Sequence, residues 1–155
     1  MIAGIDYSTN AIDVVLVDED DGAARLFHWD LCGASAFDRL RAVALVMPPR
    51  RAVYWDTIRA VGIEEPMGRG PASWGVVPKL KAIQGAIVAC IPSLVPVTPL
   101  KPAEWREKVG VPGNATKDMV AAWAMAQLDD PPGMPLKQWP QDAFDAYCIA
   151  RAVAA

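Results

Sequence analysis

The apolar and polar positions of this chain set out its elements before any chemistry is considered. Residues 2–6 form a short apolar run ending in an acid, and residues 11–17 are rich in valine, isoleucine and leucine, side chains that fit a pleated, half-buried surface. The acidic run Asp18, Glu19, Asp20 and Asp21 with Gly22 makes a turn, and residues 23–29 read as a third strand. Three strands joined by short turns predict an antiparallel meander. Ser35 then offers an N-cap, with Asp38 three residues on as a variant of the capping box. Phe37, Leu40, Val43, Ala44 and Met47 follow at helical spacing. Pro48 and Pro49 end that helix and can start a short one reaching Ile58.

Residues 60–63 form another short strand, with Glu64 and Glu65 at its end, and Pro66, Gly68, Gly70 and Pro71 force a loop. A helix is expected over residues 74–91, with Pro78 early in it, Leu80, Ile83, Ile87 and Cys90 on one face, and Gly85 marking close packing against a neighbour. Residues 94–98 are the last strand. Helices are expected at 102–109 and 115–127, a proline-rich connection at 130–139, and a closing helix at 142–154. This order predicts a mixed α/β fold, a five-stranded central sheet flanked by helices, with residues 1–155 as one domain.

Composition narrows the chemistry. The chain has 155 residues, 53% hydrophobic and 21% charged, and a domain of this size buries roughly 70% of its unfolded surface without staples. The N-terminus lacks the basic stretch and long apolar core of a signal peptide. No apolar run reaches the ~20 residues of a membrane span. The expectation is a soluble cytoplasmic protein with no membrane contact. Cys32, Cys90 and Cys148 are scattered and odd in number, and His28 is the sole histidine. That argues against disulfide frameworks, paired-histidine zinc sites and histidine-based triads. Metal chemistry here has to rest on carboxylates, which favour Mg²⁺ or Mn²⁺. The net charge of −3 is unlike that of a typical nucleic-acid binder. Yet the stretch from residue 69 to 117 carries Arg69, Lys79, Lys81, Lys101, Arg106, Lys108 and Lys117 against Glu104 and Glu107, and local charge steers a partner more than the total does.

Four acids stand out. Asp6 ends the first strand and Glu64 the fourth, while Asp142 and Asp145 are three apart on the closing helix. Residues so spaced share a helix face, and like charges there repel. Each acid has an ordinary explanation: Asp142 at a helix N-terminus, Asp6 as a turn former, Glu64 and Glu65 on a solvated edge. Together they match the three or four carboxylates, from distant parts of the chain, that a two-metal phosphodiester site requires.

Four stretches resemble the RuvC family of Holliday-junction resolvases, which has the RNase H-like fold. IAGIDYSTNAIDVVLVD resembles the family's opening hairpin, AVGIEEPMGRG its fourth strand and loop, GNATKDMVAAWA its basic segment, and PQDAFDAYCIARA its closing D-x-x-D helix. The resemblance spans nearly the whole chain, and the closing pattern is its most specific part. It implies Asp6, Glu64, Asp142 and Asp145 as catalytic ligands of two Mg²⁺ or Mn²⁺ ions, with Lys117 beside the scissile phosphate. Glu65 directly follows Glu64; the family pattern takes the first acid after the apolar run. The implied activity is paired symmetric nicking of four-way DNA by a homodimer, leaving 5′-phosphate and 3′-hydroxyl ends. Arg69, Lys79, Lys101, Arg106 and Lys108 are expected on DNA phosphates. Met67 and Arg69 occupy the loop where the family commonly carries a junction-reading aromatic; Trp74 is nearby. Trp55, Trp105, Trp123 and Trp139 can stack on bases, but tryptophans are mostly buried and none is assigned to the site. The helix around Leu80, Ile83 and Ile87 is either dimer interface or core. Alternatives are a flap, fork or structured-RNA nuclease on the same fold, a non-catalytic binding module, and, lowest, an ATPase-like domain lacking its phosphate loops. A compact resolvase of this kind suits a bacteriophage or a bacterium.

Overall fold

The computed structural model describes residues 1–47, 55–68, 71–130 and 134–154. Five strands, β1 (Ile2–Tyr7), β2 (Ala11–Val17), β3 (Ala24–Asp30), β4 (Ala60–Glu64) and β5 (Val97–Leu100), form one sheet in the order β3-β2-β1-β4-β5. β1 and β2 pair antiparallel, as do β2 and β3, whereas β1–β4 and β4–β5 are parallel. The predicted mixed five-stranded sheet and its opening meander are therefore present. The helices are α1 (Ala36–Val46), α2 (Val77–Cys90), α3 (Pro102–Lys108), α4 (Lys117–Gln127) and α5 (Gln141–Ala154).

Strand alternation divides the core. Ile2, Val15, Val17 and Leu100 face α3, α4 and α5, while Ala3, Ile5, Val14, Leu16, Val61 and Ile63 face α1 and α2. The Ser35–Asp38 capping box forms in both directions. Ile83 and Ile87 are buried and Leu80 packs on them, so this face fills the core. The tightest seam is α5 on the central strands. A Cβ on Gly62 would stand 2.7 Å from methyl groups of Ile149 and Val153, and one on Gly4 would overlap the Ala146 carbonyl oxygen. Only bare backbone at these positions lets α5 settle over β1 and β4.

Several expectations need correction. Gly85 does not mark a close approach within the chain: it is exposed, with nothing within 4 Å of where its Cβ would lie. The second helix begins at Val77, not Trp74, and residues 71–73 form a 3-10 turn before it. Pro78 explains this, because its ring clashes with the carbonyl four residues back in a helix and is tolerated only in the first turn. The last strand is Val97–Leu100 rather than residues 94–98. Its position follows parallel pairing to β4, with Val61 opposite Val97 and Glu64 opposite Leu100, while Leu94 is left exposed. Pro99 is accommodated because β5 is an edge strand. The fourth helix starts at Lys117 because Thr116 caps it, its hydroxyl accepting from the Met119 amide. Of the short helix expected to reach Ile58, a 3-10 turn at Trp55–Thr57 is present, and Pro48 and Pro49 lie outside the described residues.

Candidate active site

The register that builds the core also gathers the acids. Asp6 follows Ile2 and Gly4 on the α5 face of β1, and Glu64 follows Gly62 on the neighbouring parallel strand. Because β1 and β4 run the same way, both carboxylates emerge at the same end of the sheet. The first turns of α5 bring Asp142 and Asp145 to that end. One oxygen from each of Asp6, Asp142 and Asp145 lies within 4.8 Å of the others, the sole such set of acidic, histidine or cysteine ligands among the described residues. Asp6 is 7% exposed and Asp145 3%.

Few protein donors compensate this negative charge. Asp6 accepts from the Tyr7 amide at 2.8 Å. Lys117 donates to Asp142 and lies 3.7 Å from Asp145 Oδ2. The other Asp145 oxygen is buried with no hydrogen-bond partner among the described residues. Burial, then the charges of Glu64, Asp145 and Asp142, push the Asp6 carboxyl well above the usual range. Burial raises Asp145 to about 6, against the opposing pull of Lys117. Burial also raises Glu64, offset by the Trp105 hydrogen bond and by Arg106 and Lys117. Burial disfavours the Lys117 ammonium, but the Asp142 hydrogen bond and surrounding carboxylates outweigh it and hold its pKa above normal. Crowded, desolvated oxygens of this kind suit a hard divalent cation, and the unpartnered Asp145 oxygen is a free donor for one.

Glu64 and Glu65 separate as strand alternation requires. Glu65 turns to Lys81 at 3.6 Å. Glu64 stays on the Asp6 side, its backbone carbonyl held by Gln84 Nε2 at 3.1 Å and its Oε2 by the Trp105 indole at 3.0 Å. The expected basic residues diverge. Arg106 is half-buried, stacks on Trp105 at 4.8 Å and donates to the Gly113 carbonyl, and its charge reaches both Glu64 and Asp145. Lys101 is exposed at the N-cap of α3. Lys108 is exposed and pairs with Glu104 at 3.9 Å. Lys79 is exposed beside Thr9 and Arg39, and Met67 is exposed on the loop after β4. Arg69 lies outside the described residues. The acidic run sits at the far end of the sheet, since Val17 pairs with Ile2 and Asp13 with Asp6; there Glu19 pairs with Arg59.

Two features escaped sequence reasoning. Trp105, fully buried at 0% exposure, spends its one polar atom on Glu64 instead of a base. Asp13, the cross-strand partner of Asp6, is buried and bonded to His28 Nδ1 at 2.8 Å. Its signal was available, because Asp13 falls on the same alternation as the core residues Val15 and Val17. Trp55 and Trp139 are buried as well, whereas Trp74 is 75% exposed.

No family model matches the chain, and no curated protein matches it. Solved structures do. A structure described as Thermus thermophilus RuvC superposes with a TM-score of 0.71 at 22% identity, covering 99% of this chain and 92% of that one. A second, T. thermophilus RuvC in complex with Holliday junction substrate, gives a TM-score of 0.72 at 20% identity, covering 99% and 91%. Over essentially its whole length, this chain has the RuvC-like, RNase H-like fold that its motifs resemble.

Proposed function

We propose that residues 1–155 act as one nuclease domain, a metal-dependent endonuclease that resolves four-way DNA junctions. The observation that carries this reading is the convergence of Asp6, Asp142 and Asp145 oxygens within 4.8 Å, with Glu64 on the adjoining strand. The fold shared with RuvC, one structure of which holds a Holliday junction substrate, supports the choice of DNA branch.

Asp6, Asp142 and Asp145 would hold one divalent ion, and Glu64, at the end of the strand beside β1, would add a ligand for a second. Bound Mg²⁺ or Mn²⁺ supplies an activated water and stabilises the leaving oxygen of a phosphodiester. The protein's own part is positional and electrostatic. Asp6 is rigid because β1 is central. Asp142 and Asp145 are rigid because α5 is locked on Gly4 and Gly62. Lys117 reaches the cluster from α4 and offsets negative charge on the phosphate being cut. Arg106 adds a second cation beside Glu64, and Lys79, Lys101 and Lys108 contact the DNA backbone, fixing position without reading sequence. Met67 and Trp74, exposed beyond β4, face the branch. A two-fold junction needs two matched nicks, which a C2 dimer provides. Among the described residues no helix is long and apolar enough to cross a membrane, and the enzyme works on cytoplasmic DNA.

The test is cleavage of a labelled four-way junction beside a flap, a fork, a linear duplex and a single strand, with Mg²⁺ or Mn²⁺. Paired symmetric nicks confined to the junction, ending in 5′-phosphate and 3′-hydroxyl, are expected. Equal cutting of flaps and forks would assign a broader branched-DNA nuclease, and no cutting of any substrate would remove the catalytic reading.

A further inference from the structure

Trp105 sits where an ordinary core residue would leave a defect. Its side chain is fully buried in the α5-side core, and an indole N–H so placed costs free energy unless it finds an acceptor. The acceptor is Glu64 Oε2, 3.0 Å away and 41 residues distant in sequence. No other residue pair joins α3 to the end of β4 by a side-chain hydrogen bond among the described residues. Glu64 is the acid that stands outside the three-oxygen cluster, so its aim depends most on a neighbour. The Arg106 guanidinium covers the Trp105 ring at 4.8 Å, which closes the indole between a carboxylate and a cation.

We propose that Trp105 is a positioning residue for the metal centre: its indole N–H grips one Glu64 oxygen, fixes the rotamer, and leaves the other oxygen for a divalent ion. This rests on the reading of Glu64 as a metal-facing acid. Hydrogen-bonded partners behind a metal ligand orient it and sustain its affinity. The bond joins two buried requirements. The core needs an acceptor for the indole, and the site needs Glu64 held still; one contact meets both. A charge-assisted bond is also stronger than a neutral one, so it holds Glu64 against repulsion from the neighbouring carboxylates.

The experiment is calorimetric titration of full-length, metal-free protein with Mn²⁺ alone, no DNA present, for wild type, Trp105→Phe and Glu64→Gln. Phenylalanine keeps an aromatic ring in the core and removes the donor together with part of the ring volume, so stability is measured alongside affinity. Trp105→Phe that melts near the wild-type temperature should bind Mn²⁺ about 10- to 100-fold more weakly, the usual effect of losing such a partner. A role confined to core packing would leave Mn²⁺ affinity unchanged at equal stability. Wild-type affinity in Trp105→Phe, with weakened binding in Glu64→Gln, overturns the inference and leaves the metal site standing. Wild-type affinity in Glu64→Gln overturns the metal-site reading of Glu64 and this inference with it. If Trp105→Phe fails to fold, the indole N–H resonance of Trp105 in the wild-type protein decides: it should shift on Mg²⁺ addition, and a resonance that stays in place refutes the coupling.

Discussion

Gly4 of β1 lies directly beneath Ala146 of α5, so close that a Cβ on Gly4 would overlap the Ala146 carbonyl oxygen and stand 3.0 Å from its carbon. Asp6 lies two residues after Gly4, on the same strand face, and Asp145 directly precedes Ala146, so the contact that seats the helix also sets the distance between two candidate metal ligands. Gly4→Ala should destabilise the protein by about 1–3 kcal/mol or more, as overpacking of a tight seam does, and should abolish cleavage. Gly85→Ala should do the reverse. Its site is open, and removing an exposed mid-helix glycine gains roughly 0.5–1 kcal/mol. Denaturant midpoints of the two variants check both signs.

Lys117 pairs with Asp142 and Asp145, so its ammonium and a metal ion draw on the same oxygens. Lys117→Met should therefore bind Mn²⁺ as tightly as wild type or more tightly, while single-turnover cleavage falls by about 10²–10³, the usual loss when one charge-stabilising donor is removed. Weaker Mn²⁺ binding in this variant would mean that Lys117 organises the acids instead of competing for them.

Asp145 is a carboxylate whose raised pKa, about 6 against an ordinary 3.8, opposes folding once it is ionised. A group raised in the folded state contributes stability below its unfolded pKa and loses that contribution as pH rises to the folded value. In chelator, the wild-type melting temperature should therefore decline from pH 4 to pH 6 through Asp145. Asp145→Asn should flatten that decline and melt higher at pH 7, by on the order of 1–3 kcal/mol, while cutting nothing. Added Mn²⁺ should stabilise wild type well above the variant.

The strand runs, the Ser35–Asp38 cap and the closing helix were legible because each depends on near neighbours in sequence, whereas the meeting of Asp6 with Asp142 and Asp145, from opposite ends of the chain, was an expectation of the family resemblance. The start of β5 was not, because Leu94 and Val95 are as apolar as Val97 and only pairing with β4 chooses between them. The Trp105–Glu64 bond joins residues 41 apart, and local spacing carries no trace of it. Gly85 misled for a related reason: a helical glycine signals a close approach only when something approaches, and burial of the opposite face by Ile83 and Ile87 turned it outward.

His28 gives a second pH dependence, through Asp13, the cross-strand neighbour of Asp6. Its bond to Asp13 is the main cause raising its pKa above the ordinary 6.5, aided by the charges of Asp13 and Asp30 and opposed by burial. Its stabilising contribution is complete below 6.5 and disappears as pH rises through the raised folded value. On Asp13, burial outweighs the His28 bond and Asp142 adds repulsion, so removing His28 leaves a buried acid without its partner. His28→Phe should lower the melting temperature more at pH 5.5 than at pH 8.5. An equal loss at both values would assign the pair a packing role alone.

The most direct measurement is anomalous diffraction from crystals of the full chain soaked in Mn²⁺. The expected result is a manganese peak bounded by Asp6, Asp142 and Asp145, with Lys117 displaced from Asp145 and no peak in Asp145→Asn crystals. A wild-type cluster that stays free of manganese, with Lys117 still paired to both aspartates, would contradict it.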